Sequence, residues 1–246
     1  MKAKDQSLPI TTRISDDIAQ QIRSHALHPG IKLPSERELS EKRSISRMTA
    51  RRVYERLEDQ GLVASSNRKG WFVAEPRLQF APTKSVSFLN SVGVRGRDAR
   101  ARVLHVGEID PPDTVRTELR LKKHENAYFV RRLLMLGDRA AAIEAMYLAP
   151  SRFPEFLDRP LTGSILTLWE ETYGVTVGHS NTTLRGAYLS KEEAQLLDVP
   201  KGSPTIILGQ VIMDTSGKAF AYDRQHWKFD LAEFLISARY EKPNAQ

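Results

Sequence analysis

The sequence predicts an α+β chain, helical in front and built on an antiparallel sheet behind, and three observations carry that prediction. Apolar residues recur at helical spacing up to about residue 60. Beyond residue 100, apolar runs come in pairs joined by glycine-containing turns. Between the two regions, residues 75–99 lack periodicity and contain Pro76 and Pro82, the mark of a boundary. A length of 246 residues suits one large domain or two ordinary ones.

Composition narrows the function classes. Hydrophobic residues at 40% and charged residues at 27% describe a globular protein rather than a disordered one. Cysteine is absent, which excludes a disulfide scaffold, a thiol nucleophile and any thiolate metal site, and fits a reducing compartment. No apolar run approaches the roughly 20 residues that span a bilayer. The basic opening from Met1 to Pro9 has no apolar stretch behind it, so a secretory leader is not expected and a cytoplasmic location is.

The formal charge of +7 is unevenly spread. Residues 1–75 hold 14 Lys/Arg against 10 Asp/Glu and residues 76–100 hold 5 against 1, whereas residues 101–246 hold 18 against 19. This asymmetry suggests a polyanion-binding front joined to a neutral back.

In the front, Ile14, Ile18 and Ile22, widened by Ala19 and Leu27, form the stripe of an amphipathic helix that Pro29-Gly30 ends. Ser35 and Glu38 have the spacing of a capping box for a second, short helix with Leu39 on its buried face. Ser46 caps a third helix from Arg47 to about Gln60, closed by Gly61. Ala50, Val53 and Leu57 give it a core face. Arg47 and Arg51 share another face, flanked by Thr49, Arg52 and Arg56. Leu62–Ala64 and Trp71–Val73 read as strands around the turn Asn67-Arg68-Lys69-Gly70. Three helices followed by a hairpin make a winged helix-turn-helix. The third helix suits DNA: its N-terminus favours phosphate, and the forked guanidinium groups match a guanine edge or a phosphate. The basic tip at Lys69-Gly70 suits the minor groove. Glu55, Glu58 and Asp59 on the same helix leave a plain salt-bridged face as the competing reading.

The run Leu33-Pro-Ser-Glu-Arg-Glu-Leu39, then Ser46-Arg-x-Thr-x-Arg51, Leu57-x-x-x-Gly-Leu62 and Gly70-Trp-Phe-Val73 resembles the GntR family of bacterial transcription factors over residues 10–75. The resemblance implies DNA contact by Arg37, Ser46, Arg47, Thr49 and Arg51, with the wing-tip glycine at Gly70; Arg52 and Lys69 join them on charge and position. Met48 and Trp71 depart from the common pattern.

Behind the boundary, Tyr128–Leu136 and Ala140–Leu148 flank Gly137-Asp138, and Thr205–Met213 and Ala219–Phe229 flank Ser216-Gly217. Two hairpins are expected, with helices over Ser164–Tyr173 and Lys191–Leu197, an arrangement of the α+β class. No Walker A sequence, Gly-x-Ser-x-Gly or His-Glu-x-x-His occurs. His25 and His28 stand at helical spacing without a nearby third ligand, so neither metal nor cofactor is expected.

Residues 82–240 resemble the effector-binding UTRA domain of HutC-type GntR regulators. The similarity rests on Val130-Arg-Arg-Leu133, Ile143-Glu-x-x-Tyr-Leu148, Gly163-Ser-Ile-Leu166 through Tyr173-Gly174, and Tyr222-Asp223. It implies a chorismate-lyase-like fold binding a small polar or anionic metabolite. The residues implied are Arg132, Glu144 and Ser164, with Tyr222, Asp223 and Arg224 replacing a glutamate whose place Ala221 holds. The second arginine of the family's Arg-x-Arg pair is Leu134, which argues against a sugar phosphate. Arg132 has a competing role as a cross-sheet partner of Glu144.

The expected protein is thus a homodimeric regulator, a repressor, of double-stranded operator DNA with an inverted repeat. Its parts are a winged domain at 1–75, a linker at 76–99 and an effector-binding and dimerisation domain at 100–246. The rivals are an architectural DNA-binding protein without an effector and a lyase-like enzyme.

Overall fold

The computed structural model describes residues 8–66, 70–74, 77–93 and 98–237, and the chain divides into the units Met1–Pro76 and Arg77–Gln246. In the first, helix α1 (Ile10–Arg23) buries Ile14, Ile18 and Ala19. Helix α2 (Glu36–Arg43) starts at the capping box: Glu38 N–H donates to Ser35 Oγ at 3.2 Å and Ser35 N–H donates to Glu38 at 2.7 Å. Helix α3 (Arg47–Asp59) starts at Ser46 and ends before Gly61, whose φ of +68° favours glycine. Strands β1 (Val63–Ser66) and β2 (Gly70–Val73) pair antiparallel as a wing. Replacing Ser35 by alanine is expected to cost about 1 kcal/mol of stability, read as a lower melting temperature that Ser35→Thr largely restores.

One core holds this unit together. Ala50, Val53 and Leu57 on α3 meet Ile14, Ile18, Leu33, Leu39, Val63 and Val73. Tyr54, which the sequence pattern did not single out, ties three parts: its hydroxyl donates to Pro34 O at 2.6 Å and its ring stacks on Trp71 at 5.0 Å. Burial, with Glu38 and Glu36 nearby, pushes its hydroxyl up to about 12. Trp71 is therefore explained by packing on the third helix.

The second unit is a six-stranded antiparallel sheet in the order β4 (Ala99–Ile109), β5 (Ala127–Leu136), β6 (Arg139–Leu148), β9 (Ala219–Lys228), β8 (Pro204–Asp214), β7 (Val177–Tyr188). Helices α4 (Phe88–Gly93), α5 (Asp113–Glu118), α6 (Ile165–Tyr173) and α7 (Lys191–Leu196) accompany it, and β3 (Leu78–Phe80) pairs in parallel with β10 (Ala232–Phe234). The stretch 76–99 departs from the linker reading. Within it, Leu78, Phe80, Phe88 and Val92 are buried against Leu134, Leu208 and Trp227. The Trp227 ring lies 5.7 Å from Phe80 and 5.1 Å from Phe88. Leu78 and Phe80 become a strand only through their distant partner β10, which local sequence does not reveal.

One face of the sheet carries two apolar clusters. Leu134, Ala142, Trp227 and Leu208 belong to the first, which takes in β3 and α4. Val130, Met146, Leu148, Ala221 and Ile212 belong to the second, beside Ile165 and Trp169 of α6. On the opposite face, Leu133 and Ile143 pack against α7, and half-buried Tyr147 and Tyr222 lie beside α5.

Candidate DNA interface and effector site

The exposed side of α3 presents Arg47, Met48, Arg51, Arg52, Glu55 and Arg56. At its start, Thr49 N–H donates to Ser46 Oγ at 3.0 Å, and the two hydroxyls are 2.8 Å apart. Ser46 and Thr49 thus cap the helix end that would face a phosphate. The arginines divide into two kinds. Arg37 is 3.2 Å from Glu41 and Arg51 is 2.8 Å from Glu55, both exposed i,i+4 pairs of small energetic weight. Arg47 and Arg52 have no ion pair or hydrogen bond among the described residues. Glu58 belongs to neither group: its carboxylate accepts the Ser65 N–H at 3.1 Å and the Ser65 hydroxyl at 3.0 Å, fastening β1 to α3. The charged face weighed as a salt-bridged surface is therefore split: Arg51 is paired with Glu55, whereas the guanidinium groups of Arg47, Arg52 and Arg56 have no ion pair among the described residues. Gly70 begins β2 at φ +102°, a conformation that favours glycine. Lys69 lies outside the described residues.

In the second unit a band of polar side chains crosses the sheet between its two apolar clusters. Directly opposed residues share a face, as do residues two apart on a strand. One row is Arg132, Glu144 and Gln225; the next includes Asp223, Gln210 and Thr182. All but Thr182 are at most 4% exposed. Arg132 Nε donates to Glu144 at 2.5 Å, and its Nη1 donates to the carbonyls of Leu161 at 3.0 Å and Gly163 at 2.8 Å. The guanidinium thereby holds the loop leading into α6. Ser164 follows at once, capping α6 by accepting the Thr167 N–H at 3.3 Å while its hydroxyl lies 3.2 Å from that of Ser87. Asn90 on α4 reaches Thr167 at 3.4 Å, so hydroxyls and amides from two helices and a loop meet beside the band.

Of the six residues expected at an effector site, the structure brings together Arg132, Glu144, Asp223 and the nearby Ser164. Tyr222 and Arg224 do not join them. A strand alternates sides at every residue, so with Asp223 on the band both neighbours point to the opposite face. There Tyr222 faces Tyr147, and Arg224 and Tyr147 influence one another electrostatically. His226, on that same face, lies 3.0 Å from Glu193 of α7. The competing role for Arg132 is also realised: it bridges Glu144, buried. Sequence reading missed Gln210, Gln225, Ser87 and Asn90. A glutamine within the otherwise apolar run Thr205–Met213 was the available signal, because a polar residue in a buried strand needs a reason.

Comparison with known proteins agrees with both units. The gntR family of bacterial regulatory proteins matches residues 10–73, and the UTRA domain matches residues 94–233. The HTH-type transcriptional repressor NagR of Bacillus subtilis is 25% identical over 232 residues, covering 94% of this chain and 96% of the relative. The mannosyl-D-glycerate transport/metabolism system repressor MngR of Escherichia coli is 24% identical, covering 94% and 96%. The crystal structure of PhnF from Mycobacterium smegmatis superposes with a TM-score of 0.67 at 18% identity, covering 93% of this chain and all of that one. Leu134 and Ala221 both lie inside the matched UTRA domain. The chain belongs to the GntR family of DNA-binding transcriptional regulators, in the HutC-type branch that joins a winged helix-turn-helix to an effector-binding UTRA domain.

Proposed function

We propose that this regulator is a cytoplasmic repressor that binds an inverted-repeat operator as a homodimer, and that a small polar metabolite at the buried polar band changes its operator affinity. The observation that carries the reading is the α3 surface, where the unpaired Arg47 stands at a helix N-terminus capped by Ser46 and the unpaired Arg52 follows further along the helix. Arg37, Thr49, Arg51 and Gly70 complete the proposed DNA surface, with Lys69. Arg132, Glu144, Ser164 and Asp223 form the proposed effector site. Tyr222 and Arg224, on the far face, are left out of it. The family relation to NagR and MngR, both repressors by name, supports the sign of regulation.

A dimer follows from the DNA, because two recognition helices must meet half-sites about one helical turn apart. Strand β7 also supports it: this twelve-residue edge strand is exposed along most of both faces and has no neighbour on its outer side among the described residues. The effector acts by its differential affinity for two relative arrangements of the units. The test is selection of genomic fragments by purified protein at about 150 mM salt, which penalises purely electrostatic binding, with the mass of the protein–DNA complex measured by light scattering. Recovery of a few fragments sharing an inverted repeat, each bound by two chains, is expected. Diffuse recovery without a shared sequence would show an architectural protein instead.

A further inference from the structure

Two acceptors of the polar band are buried without a hydrogen bond. Trp227 Nε1–H donates to Gln225 Oε1 at 2.8 Å, and the Gln225 amide donates to Asp223 Oδ2 at 2.6 Å. The Gln210 amide donates outward to Thr182 Oγ1 at 3.3 Å. What remains is Asp223 Oδ1 and Gln210 Oε1, two buried acceptors without a hydrogen-bond partner, on residues directly opposite one another across β8 and β9. Both residues are 1% exposed. A buried acceptor left unpaired is costly, so the pair calls for a donor, either the proton of the Asp223 carboxyl or one that a ligand brings.

Charge points the same way. Two buried carboxylates, Glu144 and Asp223, share one guanidinium, and Arg132 is already bonded to Glu144 and to two carbonyls. The groups that gather beside the band at α4 and α6 are uncharged: Ser87, Asn90, Ser164 and Thr167. Burial, then the neighbouring Glu144, push the Asp223 carboxyl well above the usual carboxylate range, against the pull of Gln225, Arg132 and the Arg224 backbone N–H. A carboxyl in that condition holds its proton unless a cation comes to stand beside it.

We infer that the effector of this regulator carries a protonated nitrogen, an ammonium or amidinium group, which docks between Asp223 Oδ1 and Gln210 Oε1. The inference rests on the reading of the second unit as the effector-binding one. It also accounts for the two departures from the family pattern. Leu134 is packed in the apolar cluster around Trp227, so no second guanidinium is there to hold an anion. Ala221 is buried beside Ile212, and the carboxylate stands two residues further on, on the same face, at Asp223.

The test uses three probes of matched size that differ in charge: ethanolamine, ethylene glycol and glycolate. Each is added to the protein at about 20 mM, a level suited to ligands of about four or five heavy atoms, and thermal unfolding is followed. Ethanolamine is expected to raise the melting temperature, glycol and glycolate to leave it unchanged, and Asp223→Asn to abolish the ethanolamine shift. Asp223→Asn keeps the side-chain shape and gives Gln210 Oε1 a donor, so it should fold. Gln210→Met, which removes the other acceptor, is expected to reduce the shift independently. A stronger response to glycolate, no preference for ethanolamine over glycol, or an ethanolamine shift that neither variant diminishes would overturn the inference. A parallel assay separates it from the regulatory reading: cell metabolites are fractionated by ion exchange and tested for a change in operator binding. Activity in the cation fraction supports both readings. Activity only in the anion fraction keeps the regulator and removes the cationic effector. Ethanolamine binding with no active fraction keeps the site and removes the regulation.

Discussion

Replacing Arg132 by methionine is expected to destabilise the second unit by about 3–5 kcal/mol, the cost of leaving buried charge uncompensated. For a unit of this size the melting temperature should fall by roughly 10 °C. The geometry explains why the loss is large. Arg132 is 3% exposed, bonded to Glu144 and to the carbonyls of Leu161 and Gly163, so the substitution strands a carboxylate and frees the loop in front of α6. The partner variant should behave differently. Glu144→Gln removes one of two carboxylates and leaves Arg132 with Asp223, whose electrostatic coupling to both residues is evident. Its cost is expected to be distinctly smaller. Thermal or denaturant unfolding of both variants measures the asymmetry; equal losses, or an unchanged Arg132→Met protein, would refute the one-cation, two-carboxylate account.

Arg47→Ala is expected to weaken operator binding by roughly fivefold to 150-fold, about 1–3 kcal/mol, with the fold unchanged. Arg47 stands exposed in the first turn of α3, without an ion pair among the described residues, so its charge is wholly available to DNA. Arg51 differs because Glu55 competes for it at 2.8 Å. Arg51→Ala should therefore lose less affinity, and Glu55→Gln should gain some. Titrating operator and unrelated DNA over a range of salt separates the roles. A base contact by Arg47 is lost on operator alone, whereas a phosphate contact weakens both DNAs and lowers the salt slope by about one. Operator affinity that is indifferent to Arg47 would remove this residue from the interface.

The winged unit was legible because its signals are local. Capping boxes, helix-period stripes and a terminating glycine act within a few residues of one another, so the sequence around Ser35, Ser46 and Gly61 contains most of the information that forms those helices. The two main hairpins were legible for the same reason: Gly137 and Gly217 turn adjacent runs that pair with each other. Strands β4 and β7 were not, since both lie at sheet edges. In β7 nearly every residue is exposed, and without a buried side there is no alternation to read. The pairing of β3 with β10 joins segments about 150 residues apart, and no local pattern announces it.

The sequence by itself determined that this is a two-unit DNA-binding regulator, which arginine opens its third helix, and which positions behind it depart from the family pattern. Only the tertiary structure decided which of the polar residues meet. Register put Arg132, Glu144, Asp223, Gln210 and Gln225 on one face and sent Tyr222 and Arg224 to the other. The physical reason is that a strand's side chains change sides every residue, while their partners come from strands distant in sequence. Neighbours in the chain are thereby separated, and residues such as Arg132 and Asp223, 91 positions apart, share one buried charge balance.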